Sequence, residues 1–344
     1  MVVKVREREF GQIIAALTDF SKGFFGEGLE NKYGYFLCGQ YLLPVKRAVL
    51  TRAFLENLLR PRRWPRAYVG LPFSANSIRV KNNLRVLGCG KDQNQTIKIA
   101  LAGLSRAGCL RREIKARRLV AGALRPSFGV PDINRYDRKN GCWITEDMII
   151  QAKGGRPLAE EFICDHALEF YRSTCRHRKV FGRKIYGVKI SEVLRYLPDN
   201  GRAFASDYWM TAQWPVAFCH GDLSPDNMIR SHLGRLFIID WEAACVMPVV
   251  ADLRKIYTRQ PDIRSDVLHM LASLSKTQAN IVQPEIQMAL VLAADTAVRE
   301  KNKAKMIQYY MQAREMSAKR SRQFFGAEIE NNQTMIKDLC ESVK

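Results

Sequence analysis

Long charge-free runs are scarce in this sequence. The longest stretches without Asp, Glu, Lys or Arg are Tyr208 to Gly221 and Tyr33 to Val45. Both fall well short of the roughly 18–20 apolar residues that cross a bilayer. The opening residues, Met1 to Glu7, hold no apolar signal core and no small-residue cleavage site, so a cytoplasmic location is expected. Cysteine pattern is missing too. The nine cysteines lie at Cys38, Cys89, Cys109, Cys142, Cys164, Cys175, Cys219, Cys245 and Cys340, and no pair has C-x-x-C spacing. An odd, unpatterned set argues against a disulfide framework and a zinc site, and fits small buried hydrophobes in a reducing compartment. Acidic residues are few: 34 Asp+Glu stand against 55 Lys+Arg, a formal net charge of +21. Such an excess attracts polyanions, whether nucleic acid, anionic lipid or phosphorylated and acidic glycans; a solvated basic surface without a dedicated partner is the plain alternative. There is no internal repeat and no low-complexity tract.

What is present is ordinary globular material. The apolar share of 47% and the length of 344 residues fit two domains, or one bilobal unit with an extension. Residues 1–65 read as a helical N-terminal extension: Phe10, Ile13, Ile14 and Leu17 recur at helical spacing, and Leu55, Leu58 and Leu59 suggest a second helix. Pro61 and Pro65 end it. From residue 66 the pattern turns to strands, around Tyr68–Gly70, Ile78–Leu87 and Thr96–Leu101, with a helix near Cys109–Ala123 and further strands near Val130 and Trp143. Past Gly154-Gly155 the chain becomes mostly helical, apart from a β-rich stretch over 216–241. The order predicts an α+β fold of two unlike lobes, over 66–150 and 151–344.

The chemistry lies in His220-Gly221-Asp222-Leu223-Ser224-Pro225-Asp226-Asn227, followed by Leu236-Phe237-Ile238-Ile239-Asp240-Trp241-Glu242. Apolar runs precede both segments and read as buried strands, with a turn at Gly234. Phosphoryl transfer from ATP needs a carboxylate near the acceptor hydroxyl and oxygen ligands that hold Mg²⁺ on the phosphates. Asp222 suits the first role, and Asn227 and Asp240 are hard oxygen donors suited to the second. The pattern H-x-D-x-x-x-x-N, followed about a dozen residues on by apolar-apolar-Asp, is specific where an isolated H-G-D is not.

These segments resemble the aminoglycoside phosphotransferase and choline kinase superfamily, distant relatives of protein kinases. Ile239-Asp240-Trp241-Glu242 matches that family's form rather than the D-F-G of protein kinases. Pro248-Val249-Val250-Ala251-Asp252-Leu253 is similar to its P-x-x-D-L element with one extra residue. The resemblance covers roughly residues 66–255. It implies a two-lobed protein kinase-like fold, with a small antiparallel-sheet N-lobe and a larger, mainly helical C-lobe. It also implies ATP and Mg²⁺ as cofactors, Asp222 as catalytic base, and Asn227 and Asp240 as metal ligands. It calls for a strand lysine on the phosphates and a helix glutamate that holds it. Lys98 fits the first, since an inward lysine on an apolar strand is costly unless paired. Glu113 is the only acidic residue between Ile99 and Val130. An exposed Lys98, and a Glu113 that merely faces Arg117 at i,i+4, are the plain alternatives. The loop Gly70–Ile78, with Ser74 and Asn76, resembles the family's phosphate-covering loop; Gly88-Cys89-Gly90 is a rival. Trp143–Met148 and Gly155-Arg156-Pro157-Leu158 correspond to the hinge and the segment after it. His220 is expected to brace the catalytic loop, and Asp252 to brace a loop or a helix start.

Acceptors in the superfamily include cations such as aminoglycosides, choline and ethanolamine, and also sugars and lipopolysaccharide core heptose. A cation is best held by carboxylates, which are few here, whereas Arg suits carboxylate and phosphate. The expected acceptor is therefore a hydroxyl-bearing small molecule or glycan, anionic by preference, such as a sugar phosphate or a lipopolysaccharide-type glycolipid. Basic groups at Arg60–Arg66, Arg106–Arg118 and Arg176–Lys184 suit peripheral contact with an anionic membrane surface. The alternatives are a kinase of a cationic small molecule and a nucleic-acid binder on a kinase-like scaffold, for which no recognition motif is visible. A protein kinase lacks support, because no A-P-E follows. A dead scaffold is at odds with intact Lys98, Asp222, Asn227 and Asp240.

Overall fold

The computed structural model describes residues 13–20, 22, 33–38, 41–44, 68–71, 73, 75–80, 83–89, 95–100, 107–137, 142–147, 149, 157–178, 184–185, 188–189, 212–275, 281–296, 305, 307–313 and 315–316. Strands β1 (Tyr33–Cys38), β2 (Tyr41–Pro44), β3 (Tyr68–Leu71), β4 (Ser77–Val80), β5 (Asn83–Cys89) and β6 (Gln95–Ala100) precede helix α1 (Ala107–Leu119). Then come β7 (Ile133–Tyr136), β8 (Trp143–Asp147), helix α2 (Ala167–Thr174), β9 (Arg176–Arg178), β10 (Lys184–Ile185), β11 (Val188–Lys189) and β12 (Trp214–Cys219). The chain continues through β13 (Met228–Arg230), β14 (Leu236–Ile238), β15 (Cys245–Pro248), α3 (Val249–Arg259), α4 (Arg264–Leu274) and α5 (Val282–Asp295). The fold class is α+β. Residues 1–155 and 227–244 form one compact unit, and residues 156–226 and 245–344 a second. Residues 227–244, expected with the helical part of the chain, therefore pack with the sheet.

The first unit is built on an eight-stranded sheet in the order β3-β1-β2-β4-β5-β6-β8-β7, and every neighbouring pair is antiparallel. Strand β6 runs inside it, and its period-2 alternation sorts two faces. Ile97 and Ile99 join Ile78, Leu84 and Val86 in one apolar cluster, which the helical residues 13–20 cover with Ile13, Leu17 and Phe20. Phe20 meets Phe73 and Trp143 edge-on, at 5.7 and 5.6 Å between ring centres. The opposite face carries Lys98 and Ala100, and Ala100 packs with Ile144 and with Leu110 and Ile114 of α1.

Here the structure departs from the expectation of a helical extension over residues 1–65. Helical spacing does place residues 13–20 in a helix, but β1 and β2 are strands inside the sheet, between β3 and β4. The run Tyr33-Gly34-Tyr35-Phe36-Leu37-Cys38 is rich in aromatics, which favour a pleated surface. Tyr35 is buried; its hydroxyl donates to the Phe73 carbonyl (3.0 Å) and accepts from the Ala75 amide (2.7 Å), tying β1 to the chain after β3. The second helix expected around Leu55–Leu59 lies outside the described residues.

The hairpin β13–β14 docks through one glycine. Gly129 donates its amide to the Leu236 carbonyl (2.7 Å) and accepts from the Ile238 amide (2.9 Å). A Cβ at Gly129 would stand 2.5 Å from the Phe237 ring, so only glycine allows this approach.

In the second unit, β12 lies between β15 and β9, antiparallel to both. Its residues Trp214, Val216, Ala217 and Cys219 are buried, as the apolar run before His220 predicts. Helix α3 packs on β12 and α5, and α4 packs on α2 and α3. Val249, Val250, Leu253 and Ile256 of α3 and Val267 and Leu271 of α4 are buried. No helix among the described residues is long and apolar enough to cross a membrane.

Ile97→Ala removes a fully buried side chain from the centre of the sheet. It is expected to lower the stability of the first unit by about 2–5 kcal/mol. A shift of the denaturant midpoint, followed by circular dichroism, checks this; an unchanged midpoint contradicts the core assignment.

Candidate active site

Lys98 sits on the helix-covered face of β6 with 1% of its side chain exposed. An ammonium there needs counter-charge, and two carboxylates supply it. Glu113 of α1 lies 2.5 Å from Nζ through Oε1, and Asp240 lies 2.8 Å away through Oδ1. Burial opposes the charged form, but Glu113, Glu146 and Asp240 outweigh it and raise the Lys98 pKa above its ordinary value. Arg85 of β5 is the register partner of Lys98, shares its face, and also bonds Oδ1 of Asp240. Arg117 of α1 closes the cluster, 2.5 Å from Glu146 Oε2 and 3.4 Å from Glu113 Oε1. Its Nε donates to the Pro131 carbonyl at 2.9 Å. Lys98, Arg85 and Arg117 thus balance Glu113, Glu146 and Asp240.

Asp240 is held in place by its neighbours. Its φ of 66° is in the left-handed region, costly for a residue with a side chain though Asp tolerates it better than most. Trp241, fully buried, secures the turn: its indole donates to the Ile238 carbonyl at 2.9 Å, and its ring stacks on Phe128 at 6.4 Å. The Asn227 carbonyl accepts from the Ile239 amide at 3.0 Å, so the backbones carrying Asn227 and Asp240 are joined one residue from the carboxylate. Burial works against ionisation of Asp240, but Lys98 and Arg85 prevail and hold its carboxyl well below the usual carboxylate range. A carboxylate and an amide oxygen are hard donors, and Mg²⁺ commonly takes one or two protein ligands together with substrate phosphates. The pair fits that ion. Among the described residues no larger His/Cys/Asp/Glu group forms a protein-only metal cage.

Asp222 belongs to the second unit, on the loop after β12. Asp252, buried in the first turn of α3, braces that loop. Its Oδ2 accepts the His220 amide (2.9 Å) and the Tyr171 hydroxyl (3.0 Å), and its Oδ1 accepts the Gly221 amide (2.8 Å). Burial, and then the Asp252 charge, push the Tyr171 phenol well above its ordinary value. His220 is also buried, and its Nδ1 accepts the Asp222 amide at 3.3 Å, which places the ring proton of a neutral imidazole on Nε2. Gly221 takes a φ of +82°, open to glycine at little cost. Lys255, on the same face of α3 as Asp252, pairs with the Asp222 carboxylate; Arg259, one turn on, pairs with Asp226.

Of the expected site residues, Lys98, Glu113 and Asp240 are brought together, and Asn227 is tied to the Asp240 segment. Asn76 immediately precedes β4: its backbone amide donates to the Leu87 carbonyl at 2.8 Å, and its side chain fills the space over Gly88, where a Cβ would come within 2.0 Å. Ser74 lies outside the described residues. Sequence reasoning missed Arg85, Glu146 and Lys255; Arg117 reads from spacing only as an i,i+4 partner of Glu113, a contact the structure shows at 3.4 Å. Only Lys255 left a readable trace, three residues beyond Asp252 in a helix.

Asp252→Ala leaves two backbone amides and a phenol without their acceptor, at about 1–3 kcal/mol each. A loss of at least roughly 3 kcal/mol from the second unit is expected on the same grounds; denaturant unfolding checks it. Asp240 predicts a pH dependence. Its folded pKa is depressed, so its stabilisation is complete above the unfolded value near 4 and drains as pH falls below it. The midpoint difference between wild type and Asp240→Asn should therefore be largest near neutrality and shrink below about pH 4. A difference that grows on acidification contradicts the ion-pair account.

Comparison with solved structures finds chains of low identity. The GDP and kanamycin complex of APH(2")-IIia is 14% identical, with 72% of this chain and 94% of that chain covered and a TM-score of 0.44. A choline/ethanolamine kinase family protein from Mesorhizobium loti is 16% identical, covering 71% and 87%, at 0.43. Macrolide 2'-phosphotransferase type I is 15% identical, covering 77% and 98%, at 0.42. No curated protein matches the sequence. Residues 179–275, which carry Asp222, Asn227, Asp240 and Asp252, match the model of the phosphotransferase enzyme family. In this segment the chain resembles that phosphotransferase enzyme family, to which its motifs point.

Proposed function

We propose that the protein is an ATP- and Mg²⁺-dependent phosphotransferase that phosphorylates a hydroxyl group of a small molecule or glycan. The observation that carries this reading is the convergence of Lys98, Glu113 and Asp240 on one face of the sheet, in a chain whose residues 179–275 match a phosphotransferase family model. Lys98 holds the nucleotide phosphates, and Glu113 fixes Lys98. Asn227 and Asp240 would hold Mg²⁺, which when bound neutralises phosphate charge. Asp222 orients the acceptor hydroxyl and takes its proton as the oxygen attacks the γ-phosphorus, while the bond from that phosphorus to the β–γ bridging oxygen breaks and ADP leaves. His220 and Asp252 position Asp222 without touching substrate.

The acceptor is proposed to be anionic, a sugar phosphate or acidic glycolipid of the lipopolysaccharide-core kind. Support comes from the net charge of +21 and, locally, from Lys255 and Arg259 beside Asp222 and Asp226. Cations at the base suit an acceptor that brings negative charge. Such a protein works at, rather than through, an anionic membrane surface when its acceptor is a lipid.

ATP turnover with candidate acceptors tests the reading. Asp240→Ala is expected to abolish Mg²⁺-dependent turnover while circular dichroism stays native. Asp222→Asn is expected to lower it about 10²–10⁴-fold. Retained turnover in Asp240→Ala refutes the metal assignment. Stimulation by aminoglycosides or choline, and not by anionic sugars, refutes the acceptor class and leaves the enzyme class standing.

A further inference from the structure

We infer that Arg85 is a second phosphate-binding cation of the nucleotide site, held on Asp240 until metal and nucleotide arrive. This inference rests on the phosphotransferase reading and adds a residue to it. Three observations carry it, all within the first unit. Arg85 and Lys98 are register partners on adjacent antiparallel strands, so their side chains leave the sheet side by side on one face. Both reach the same oxygen, Oδ1 of Asp240. And the exposed edge of the cluster is formed by this pair: Arg85 and Asp240 are 21% and 28% exposed, against 1% for Lys98 and Glu113. A ligand approaching the cluster from solvent meets Arg85 and Asp240 first.

The donor count points the same way. Among the described residues, the one hydrogen-bond partner of the Arg85 guanidinium is Asp240, reached through Nη2. The guanidinium has five N–H donors in a planar fork matched to phosphate oxygens. Charge balance supplies the drive. The cluster is neutral as it stands, with Lys98, Arg85 and Arg117 against Glu113, Glu146 and Asp240. A divalent cation held by Asp240 would compete with Arg85 for the carboxylate. The triphosphate that comes with it carries more negative charge than one divalent ion cancels. An Arg85 released from Asp240 would then have phosphate oxygens to pair with, so that no buried charge need be left unpaired. The alternative is that Arg85 only plugs Asp240 in the empty protein. In that case its removal would leave nucleotide affinity unchanged or improved.

The test is calorimetric binding of ATP and of adenosine, with Mg²⁺ present, to the full-length wild type, Arg85→Gln and Arg85→Lys. Arg85→Gln is expected to weaken ATP by at least roughly tenfold, the loss of one charge-assisted hydrogen bond, and to leave adenosine binding unchanged. Arg85→Lys, which keeps the charge but not the fork, is expected to fall between. Unchanged adenosine binding also reports that the variant site is folded; if Arg85→Gln does not fold, Arg85→Lys alone decides by its ATP-to-adenosine ratio. Wild-type ATP affinity in the variants, or tighter binding, overturns the Arg85 assignment and leaves the phosphotransferase reading intact. A wild type that binds neither ATP nor adenosine overturns both.

Discussion

A lysine side chain inside an apolar sheet face is the constraint on which the first unit depends. Lys98 stands on an interior strand, between β5 and β8, and α1 covers it. Water cannot reach its ammonium, so protein must supply the counter-charge or the group must lose its proton. Glu113 and Asp240 supply it, one from α1 and one from a loop more than a hundred residues downstream. The cost of an unpaired buried charge thereby sets the rotation of α1 and the seat of residues 227–244. It also explains why the cluster grows beyond a pair. Glu113 and Glu146 each bring charge that Arg117 offsets, and Arg117 in turn bonds the Pro131 carbonyl and fixes the chain leaving α1.

The two loops that carry the candidate chemistry are held by different means. In the first unit, packing does most of it. Trp241 is buried and stacked on Phe128, and Gly129 lets the hairpin backbone come within hydrogen-bond range. Those contacts sustain the left-handed backbone at Asp240, which its own side chain disfavours. In the second unit, one carboxylate does the work. Asp252 gathers two consecutive backbone amides and a phenol, bonds to a charged acceptor that are stronger than neutral ones. The Asp222 side chain can remain 44% exposed while its backbone amide is held by His220. That combination suits a group that must meet a substrate from solvent yet keep its angle.

Much of this was legible in the sequence, because it is local. The spacing of Asp222, Asn227 and Asp240 and the apolar runs before them place these residues at strand ends by period and turn chemistry alone. Lys98 announces itself as a charge inside an apolar strand, and Glu113 as the only acidic residue in its neighbourhood. Asp252 reads as a loop brace from its place at a helix start. The strand that carries Lys98 and the helix after it follow from alternation and helical spacing, with bounds shifted by a few residues; Ile78–Leu87, read as one extended stretch, is instead two strands, β4 and β5, paired antiparallel.

What the sequence could not decide is pairing between distant segments. Nothing local says that Tyr33–Pro44 enters the sheet between β3 and β4, since strand order is settled by which apolar faces can be buried together. Arg85 reads as one more surface arginine in a basic chain until the β5–β6 register sets it beside Lys98. A one-residue slip would turn it to the opposite face. Glu146 likewise acquires meaning only when helix and sheet meet, where it takes the Arg117 guanidinium that spacing alone pairs with Glu113. The sequence by itself determined which groups could do phosphoryl chemistry and in what order they come. Tertiary structure alone decided which charges share a buried space, because ion pairing in low dielectric depends on distances that only sheet register and helix packing define.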